Sequence, residues 1–171
     1  KKLDYKTPKH ITEMIIQDKE LSLLGSIVDL GCGTGLFGME IGEKCTYLEG
    51  VDLSQKMLDE ATKKNVYSKL SKQDILDYLS NASLDFDYFV AADVFVYIGD
   101  LSDIFRLIKP RNKSGGKLAF STEDYDGEGF FLEQSGRFSH SKKYIESLCG
   151  KFGYELCYFQ NQPLRKEKNQ Y

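Results

Sequence analysis

The sequence predicts one α/β domain, a doubly wound and mostly parallel sheet covered by helices on both faces. Apolar runs of strand length alternate with segments of helical period along the chain. A central run, Phe89-Val90-Ala91-Ala92, is apolar at consecutive positions, as expected of a strand buried on both faces. The first run, Ile27-Val28-Asp29-Leu30, enters a loop with glycine at every second position, Gly31-Cys32-Gly33-Thr34-Gly35, where the backbone of such a sheet closely approaches a ligand. At 171 residues, 41% hydrophobic and 13% aromatic, the chain suits a single domain with a continuous core. Residues 1–171 are expected to form that unit, with an N-terminal helical segment over 1–25, a core over 26–164 and a frayed tail over 165–171.

The elements follow in order. Thr7 as N-cap and Pro8 at the first helical position start a helix with Ile11, Met14 and Ile15 on one face. A strand is expected over residues 26–30, then a helix from about residue 35 that turns Leu36, Met39 and Ile41 inward. A second strand covers 46–52, and Ser54 caps a helix whose inner face is Met57, Leu58 and Ala61. Strands follow at 69–72 and 86–92. Asp100 caps a helix with Leu101, Ile104, Phe105 and Ile108 inward, stopped by Pro110. Gly115-Gly116 leads into a strand over 117–122, and residues 123–139 read as a long loop. Ser139 or Ser141 begins a helix with Tyr144, Ile145, Leu148 and Phe152 inward and Gly153 as its stop. A sixth strand is expected over 154–160. The sequence holds no strand to pair with it, which predicts a sheet short of its last strand.

Composition excludes several classes. A net charge of -3 argues against nucleic acid as a partner. The basic residues Lys109, Arg111, Lys113 and Lys117 read as a solvated face. Four cysteines, Cys32, Cys45, Cys149 and Cys157, form no C-x-x-C pair and only two histidines occur, so no metal site is expected. No secretory signal is evident, and the longest apolar stretch, 88–98, carries Asp93 and is too short to cross a bilayer. No membrane association and a reduced, cytoplasmic location are expected.

The loop and the acids around it narrow the ligand. Gly33-x-Gly35-x-x-Gly38 satisfies the dinucleotide pattern literally, yet the glycine that follows the strand is Gly31, and Gly38 falls inside the helix. Asp52 ends the second strand about twenty residues on, where a carboxylate can hold a ribose diol. Asp29 stands where a pyrophosphate would need neutral or positive surroundings, and it suits a cationic ligand better.

These residues carry a resemblance. Val28-Asp29-Leu30-Gly31-Cys32-Gly33-Thr34-Gly35 is similar to the first motif of class I S-adenosylmethionine-dependent methyltransferases, Asp52 to that family's ribose-binding acid, Gln73-Asp74-Ile75 to the segment after strand three, and Ala91-Ala92-Asp93 to the fourth motif. The resemblance runs from Tyr5 to about Arg165 and implies a Rossmann-like fold and S-adenosyl-L-methionine as cofactor, with S-adenosyl-L-homocysteine as product. It implies cofactor contacts at Asp29, Gly31, Cys32, Gly33, Asp52, Leu53, Met57, Asp74, Ile75 and Ala92. Asp29 would favour the methionine ammonium, directly or through water, backbone N–H groups of the loop would meet its carboxylate, and Cys32 would contribute its backbone amide only. Leu53 and Met57 would flank adenine beside Ile75, and Asp74 would accept from its amino group. Residues 90–101 and 135–141 are similar to a subgroup known as tetratricopeptide-repeat-associated methyltransferases, which makes the chain either a stand-alone member or the catalytic piece of something longer.

Catalytic residues are weakly encoded in such chains, because the cofactor carries the reactive group. No Asn/Asp-Pro-Pro-Tyr/Phe signature follows strand four. Candidates over the acceptor site are Asp93, Tyr97, Glu123, Tyr125 and His140. A base role for His140 stands against helix capping or packing. Arg137 is read equally as a receptor for an anionic substrate or a partner of a loop acid, and Phe130-Phe131 as a loop anchor in preference to a substrate clamp. The expected partner is a small-molecule acceptor, with a protein substrate kept open. The alternatives are an NAD-dependent oxidoreductase, or a non-catalytic nucleotide-binding or partner-binding module on the same fold.

Overall fold

The computed structural model describes residues 6–17 and 23–162. The expected tail over 165–171 lies outside the described residues. A helix α1 (Thr7–Gln17) precedes β1 (Leu24–Leu30), α2 (Leu36–Ile41), β2 (Cys45–Asp52), α3 (Gln55–Thr62), β3 (Lys69–Lys72), α4 (Ile75–Leu79) and β4 (Phe86–Ala91). Then come α5 (Ser102–Ile108), β5 (Asn112–Phe120), three short strands β6 (Glu123–Asp124), β7 (Phe130–Leu132) and β8 (Phe138–His140), and α6 (Lys142–Phe152). The main sheet has five strands in the order β3-β2-β1-β4-β5, and every pairing in it is parallel.

The alternation of a strand's side chains divides the core between the two faces. Val28, Leu30 and Phe89 pack on one face with Leu101, just ahead of α5, and with Leu79, Ile104, Phe105, Ile108, Ile145 and Leu148 from α4, α5 and α6. Ile27, Tyr88 and Val90 pack on the other with Ile11 and Ile15 of α1 and Phe37 and Ile41 of α2. This two-sided burial is why the central strands read as continuous apolar runs.

Some expected faces turn over. Ile41 is buried as expected, but Leu36 and Met39 are exposed, and α2 buries Phe37 and Gly38 in their place. Gly38 is there because Tyr67 lies against it: a Cβ would meet the Tyr67 ring at 2.5 Å. Met57 is also exposed, while Leu58 and Ala61 of α3 are buried. Asp100 stands one residue before the N-cap of α5, and its Oδ1 accepts from the Ser102 N–H at 2.9 Å. Ser141 caps α6 by accepting from the Tyr144 N–H, and Gly153 ends that helix at φ 71°.

Larger corrections concern the second half. Residues 123–139 are not a plain loop, since β6, β8 and β7 form a small sheet beyond the end of β5. Residues 154–160 do not form a sixth strand. They run without strand pairing, and every residue from 155 to 162 is exposed, so no buried face rewards pairing. Among the described residues β5 is therefore an edge of the main sheet. The basic group before it is not a solvated face either. Arg111 is buried and donates to the carbonyls of Asn81 (2.8 Å), Leu107 (2.7 Å) and Ser80 (3.1 Å), tying α4 to α5. Lys113 pairs with Asp87 at 3.1 Å.

Candidate functional site

All strands of the main sheet point the same way, so their carboxyl ends share one edge. The strand order reverses between β1 and β4, and the crevice of such a sheet opens there. The chain leaves β1 through left-handed glycines at Gly31 (φ 69°), Gly33 (φ 53°) and Gly35 (φ 81°). The loop is tightly bonded to its surroundings. Gly31 and Cys32 N–H both donate to Val51 O (2.8 and 3.0 Å), Gly35 N–H to Cys32 O (2.9 Å), and Gly33 N–H to Asp52 Oδ2 (2.9 Å). The amides expected to meet a ligand carboxylate are thus engaged within the fold, Cys32's included. What the loop offers is room. A Cβ on Gly33 would meet nothing within 4 Å, whereas one on Gly31 would strike Val94 Cγ2 at 2.6 Å.

Asp52 ends β2 at this edge, and its second oxygen accepts from the Ser54 N–H at 2.8 Å. Held by backbone donors on both oxygens, it keeps lone pairs for further donors such as a diol. Apolar side chains stand open just after it, Leu53 at 64% and Met57 at 43% exposure. The Gln73 N–H donates to Asp52 O at 3.1 Å, which brings Asp74 and the half-buried Ile75 to the same edge. Asp74 is the N-cap of α4, a helix not foreseen from sequence, and its Oδ1 accepts from Leu76 N–H (2.8 Å) and Asp77 N–H (3.4 Å). An open floor over Gly33, a carboxylate fixed for a diol and exposed apolar flanks fit an adenosyl group.

Asp29 lies at the end of β1, turned into the fold. It is 1% exposed, beneath the loop, and accepts a 2.7 Å hydrogen bond from the Tyr67 hydroxyl. Burial, with Asp52 nearby, pushes its carboxyl up to about 7 against the pull of the Tyr67 bond. Burial and the neighbouring acids keep the Tyr67 hydroxyl and the Cys32 thiol protonated. No direct contact between Asp29 and a ligand ammonium is open. Tyr67 went unrecognised in the sequence, though its ring also approaches the Cβ positions of Gly35 (3.0 Å) and Gly50 (2.9 Å). The only trace it leaves there is glycine at positions where larger residues would pack.

On the far side of the crevice β4 ends in Ala91, followed by the half-buried Ala92 and by Asp93, which adopts φ 61° without being glycine. Such backbone is uncommon and collects at functional sites. Asp93 N–H donates to Ser121 Oγ at 2.8 Å, and its Oδ1 lies 2.6 Å from Arg137 Nη2. Arg137 Nε also stands 2.9 Å from Glu123 Oε1, a charge contact without an aligned hydrogen bond. Of the two roles weighed for Arg137, pairing with loop acids is the one observed. Tyr97 is 66% exposed, with the Arg137 guanidinium 5.7 Å from its ring centre. Phe130 anchors the small sheet against Phe138, His140 and Tyr144, while Phe131 stacks on Tyr125 at 5.5 Å.

His140 does not face the crevice as a base would. It is 2% exposed, and Nε2 donates to Ile98 O (3.0 Å) and Gly99 O (2.9 Å) while Nδ1 takes the Thr122 hydroxyl. Burial holds it below its usual 6.5, so it is a neutral tie between β8, the end of β5 and the segment after β4. Among the described residues no group of three or more His, Cys, Asp or Glu is placed to hold a metal, and no helix is long and apolar enough to cross a membrane.

The geometry defines an α/β protein whose glycine loop and strand-end carboxylate meet at the carboxyl edge of a parallel sheet, and comparison with known proteins gives its family. Residues 28–118, from β1 into β5, match the methyltransferase domain family, and the chain belongs to it. An uncharacterized methyltransferase of Schizosaccharomyces pombe is 27% identical over 54% of this chain and 37% of its own length. A ubiquinone biosynthesis O-methyltransferase of Coxiella burnetii is 27% identical over 61% of this chain and 47% of its own length. The chain thus spans less than half the length of these relatives. In fold it is similar to the magnesium protoporphyrin IX methyltransferase of Synechocystis PCC 6803 solved with bound S-adenosylhomocysteine (TM-score 0.72, 17% identity, 94% of this chain and 78% of that one). An S-adenosylmethionine-dependent methyltransferase from Clostridium acetobutylicum superposes at TM-score 0.63, with 22% identity over 87% of this chain and 80% of that one. The fold is that of the class I methyltransferases, with all five strands of the main sheet parallel.

Proposed function

We propose that the chain binds S-adenosyl-L-methionine and transfers its methyl group to a small-molecule acceptor. The observation that carries this reading is Asp52, clamped by the N–H groups of Gly33 and Ser54 beside the open floor over Gly33. Asp52 accepts the ribose hydroxyls, Leu53 and Met57 flank the adenine beside Ile75, and the unbonded oxygen of Asp74 takes the adenine amino group. The bound cofactor supplies an electrophilic methyl carbon. The protein orients the acceptor and excludes water, and alignment alone is worth about 7–11 kcal/mol in favourable cases. Asp93 and Tyr97 stand on the acceptor side. Asp29 acts from beneath the loop, holding the Tyr67 ring against Gly35 and Gly38.

The named relatives support a small molecule as acceptor, one acting in ubiquinone biosynthesis and one on magnesium protoporphyrin IX. The segments 90–101 and 135–141 support membership of the tetratricopeptide-repeat-associated subgroup. Calorimetric titration of the folded protein with S-adenosylhomocysteine is the test. A 1:1 complex is expected, and no heat of binding in a folded sample, or binding of NADH in its place, would overturn the reading.

A further inference from the structure

The acceptor side has a composition of its own. One guanidinium, Arg137, serves two carboxylates, Asp93 at 2.6 Å and Glu123 at 2.9 Å, with side-chain exposures of 18, 21 and 34%. The cluster carries one net negative charge and is rich in hydrogen-bond acceptors. Flat apolar surfaces stand beside it. Tyr97 lies under the guanidinium, 66% exposed, and Phe131 is 49% exposed although stacked on Tyr125. Strand register puts Phe131 and Glu123 on one face of the small sheet, since both lie opposite Ser139. Arg137, two residues before Ser139, shares that face. A groove of about 1510 Å³ reaches the cluster between α1 and the end of β5, past Met14, Phe120 and Ser121.

We infer that the acceptor is a neutral aromatic hydroxyl and not a carboxylate, its ring held by Tyr97 and Phe131 and its O–H directed at the Asp93–Arg137–Glu123 cluster. This rests on the proposed methyl-transfer function and names the substrate class of that site. A carboxylate would approach a cluster already negative, with its one guanidinium taken by two acids, and would lose hydration without gaining a cation. A phenolic O–H finds an acceptor there that water would otherwise supply, and planar rings pair well with exposed aromatic faces. The proton balance also closes. As the acceptor oxygen bonds to the methyl carbon, the carbon–sulfur pair stays on sulfur and the phenolic proton passes to Asp93.

The test separates this inference from the function beneath it. Calorimetry first establishes whether S-adenosylhomocysteine binds, and failure there sinks the methyl-transfer reading itself. With the protein saturated in S-adenosylhomocysteine, ligand-observed NMR titrations then compare 2-naphthol with 2-naphthoate. The naphthol is expected to bind at least tenfold tighter, to lose at least fivefold in Tyr97→Ala and Phe131→Ala, and to see its advantage over naphthoate shrink in Glu123→Gln, which removes the net charge. Equal or tighter naphthoate binding overturns the inference, as does naphthol binding indifferent to both aromatic substitutions, or no binding of naphthol to the loaded, folded protein.

Discussion

Replacing Asp29 by Asn should flatten the pH dependence of stability around neutrality. The unfolded chain releases this proton near 3.8 and the folded chain near 7. Between those values the folded protein keeps a proton that the unfolded protein has lost, so stability falls as pH rises across the window, with the full cost in place above about 7. At about 1.36 kcal/mol per pH unit, the rise from 3.8 to about 7 costs about 4 kcal/mol. That is a large share of the roughly 5–15 kcal/mol that holds a typical domain folded. Asn keeps the shape and an oxygen for the Tyr67 hydroxyl but has nothing to ionise. His140 contributes the opposite sign, because its lowered value makes stability fall as pH drops through 6.5, and it is common to both proteins. Urea denaturation of each at pH 5 and pH 8 therefore isolates Asp29. The window crossed between the two pH values runs only from 5 to about 7, so the wild type should lose about 2–3 kcal/mol more than Asp29→Asn. Parallel pH profiles would refute the assignment of a buried carboxyl titrating near neutrality.

Three further substitutions discriminate among roles. Asp52→Asn should weaken S-adenosylhomocysteine at least tenfold by calorimetry, roughly the 1.4 kcal/mol or more that charge-assisted hydrogen bonds to a diol are worth, while circular dichroism stays unchanged. His140→Gln should cost about 1–3 kcal/mol in urea melts, through lost bonds to Thr122, Ile98 and Gly99, yet leave the affinity for S-adenosylhomocysteine within twofold. Arg111→Met should cost about 2–4 kcal/mol by the same measurement, since three carbonyls lose their donor in a buried place, and a loss under about 0.5 kcal/mol would mean that the residue is solvated as its sequence context suggested.

Local pattern made much of this protein legible. The sequence located the first four strands of the main sheet within two residues, the buried ones through the continuous apolar signature that burial on two faces leaves, whereas β5 begins at Asn112, five residues before its expected start, and contains Gly115 and Gly116. The glycine loop and Asp52 were legible because close approach and a strand-end carboxylate are requirements on single positions. Legibility failed where an outcome depended on what packs from a distance. Leu36 and Met39 looked like the inner face of α2, and the wedge of Tyr67 over Gly38 rotated that face outward. Arg111 looked like one cation of a solvated run, and three carbonyls from α4 and α5 took it inside. Residues 154–160 had the composition of a strand, but the structure gives them no buried face.

The sequence by itself determined the fold class and the meeting of the glycine loop with Asp52 at one edge of the sheet, since these follow from periodicity and from glycine and aspartate at particular offsets. Only tertiary structure decided that Asp29 lies beneath the loop against Tyr67, that His140 is a tie and not a base, and that Arg137 joins Asp93 to Glu123. Each of those depends on a partner 38, 18 or 44 residues away in the chain. Charge, burial and hydrogen bonding are properties of such meetings, and a linear pattern carries no record of which residues meet.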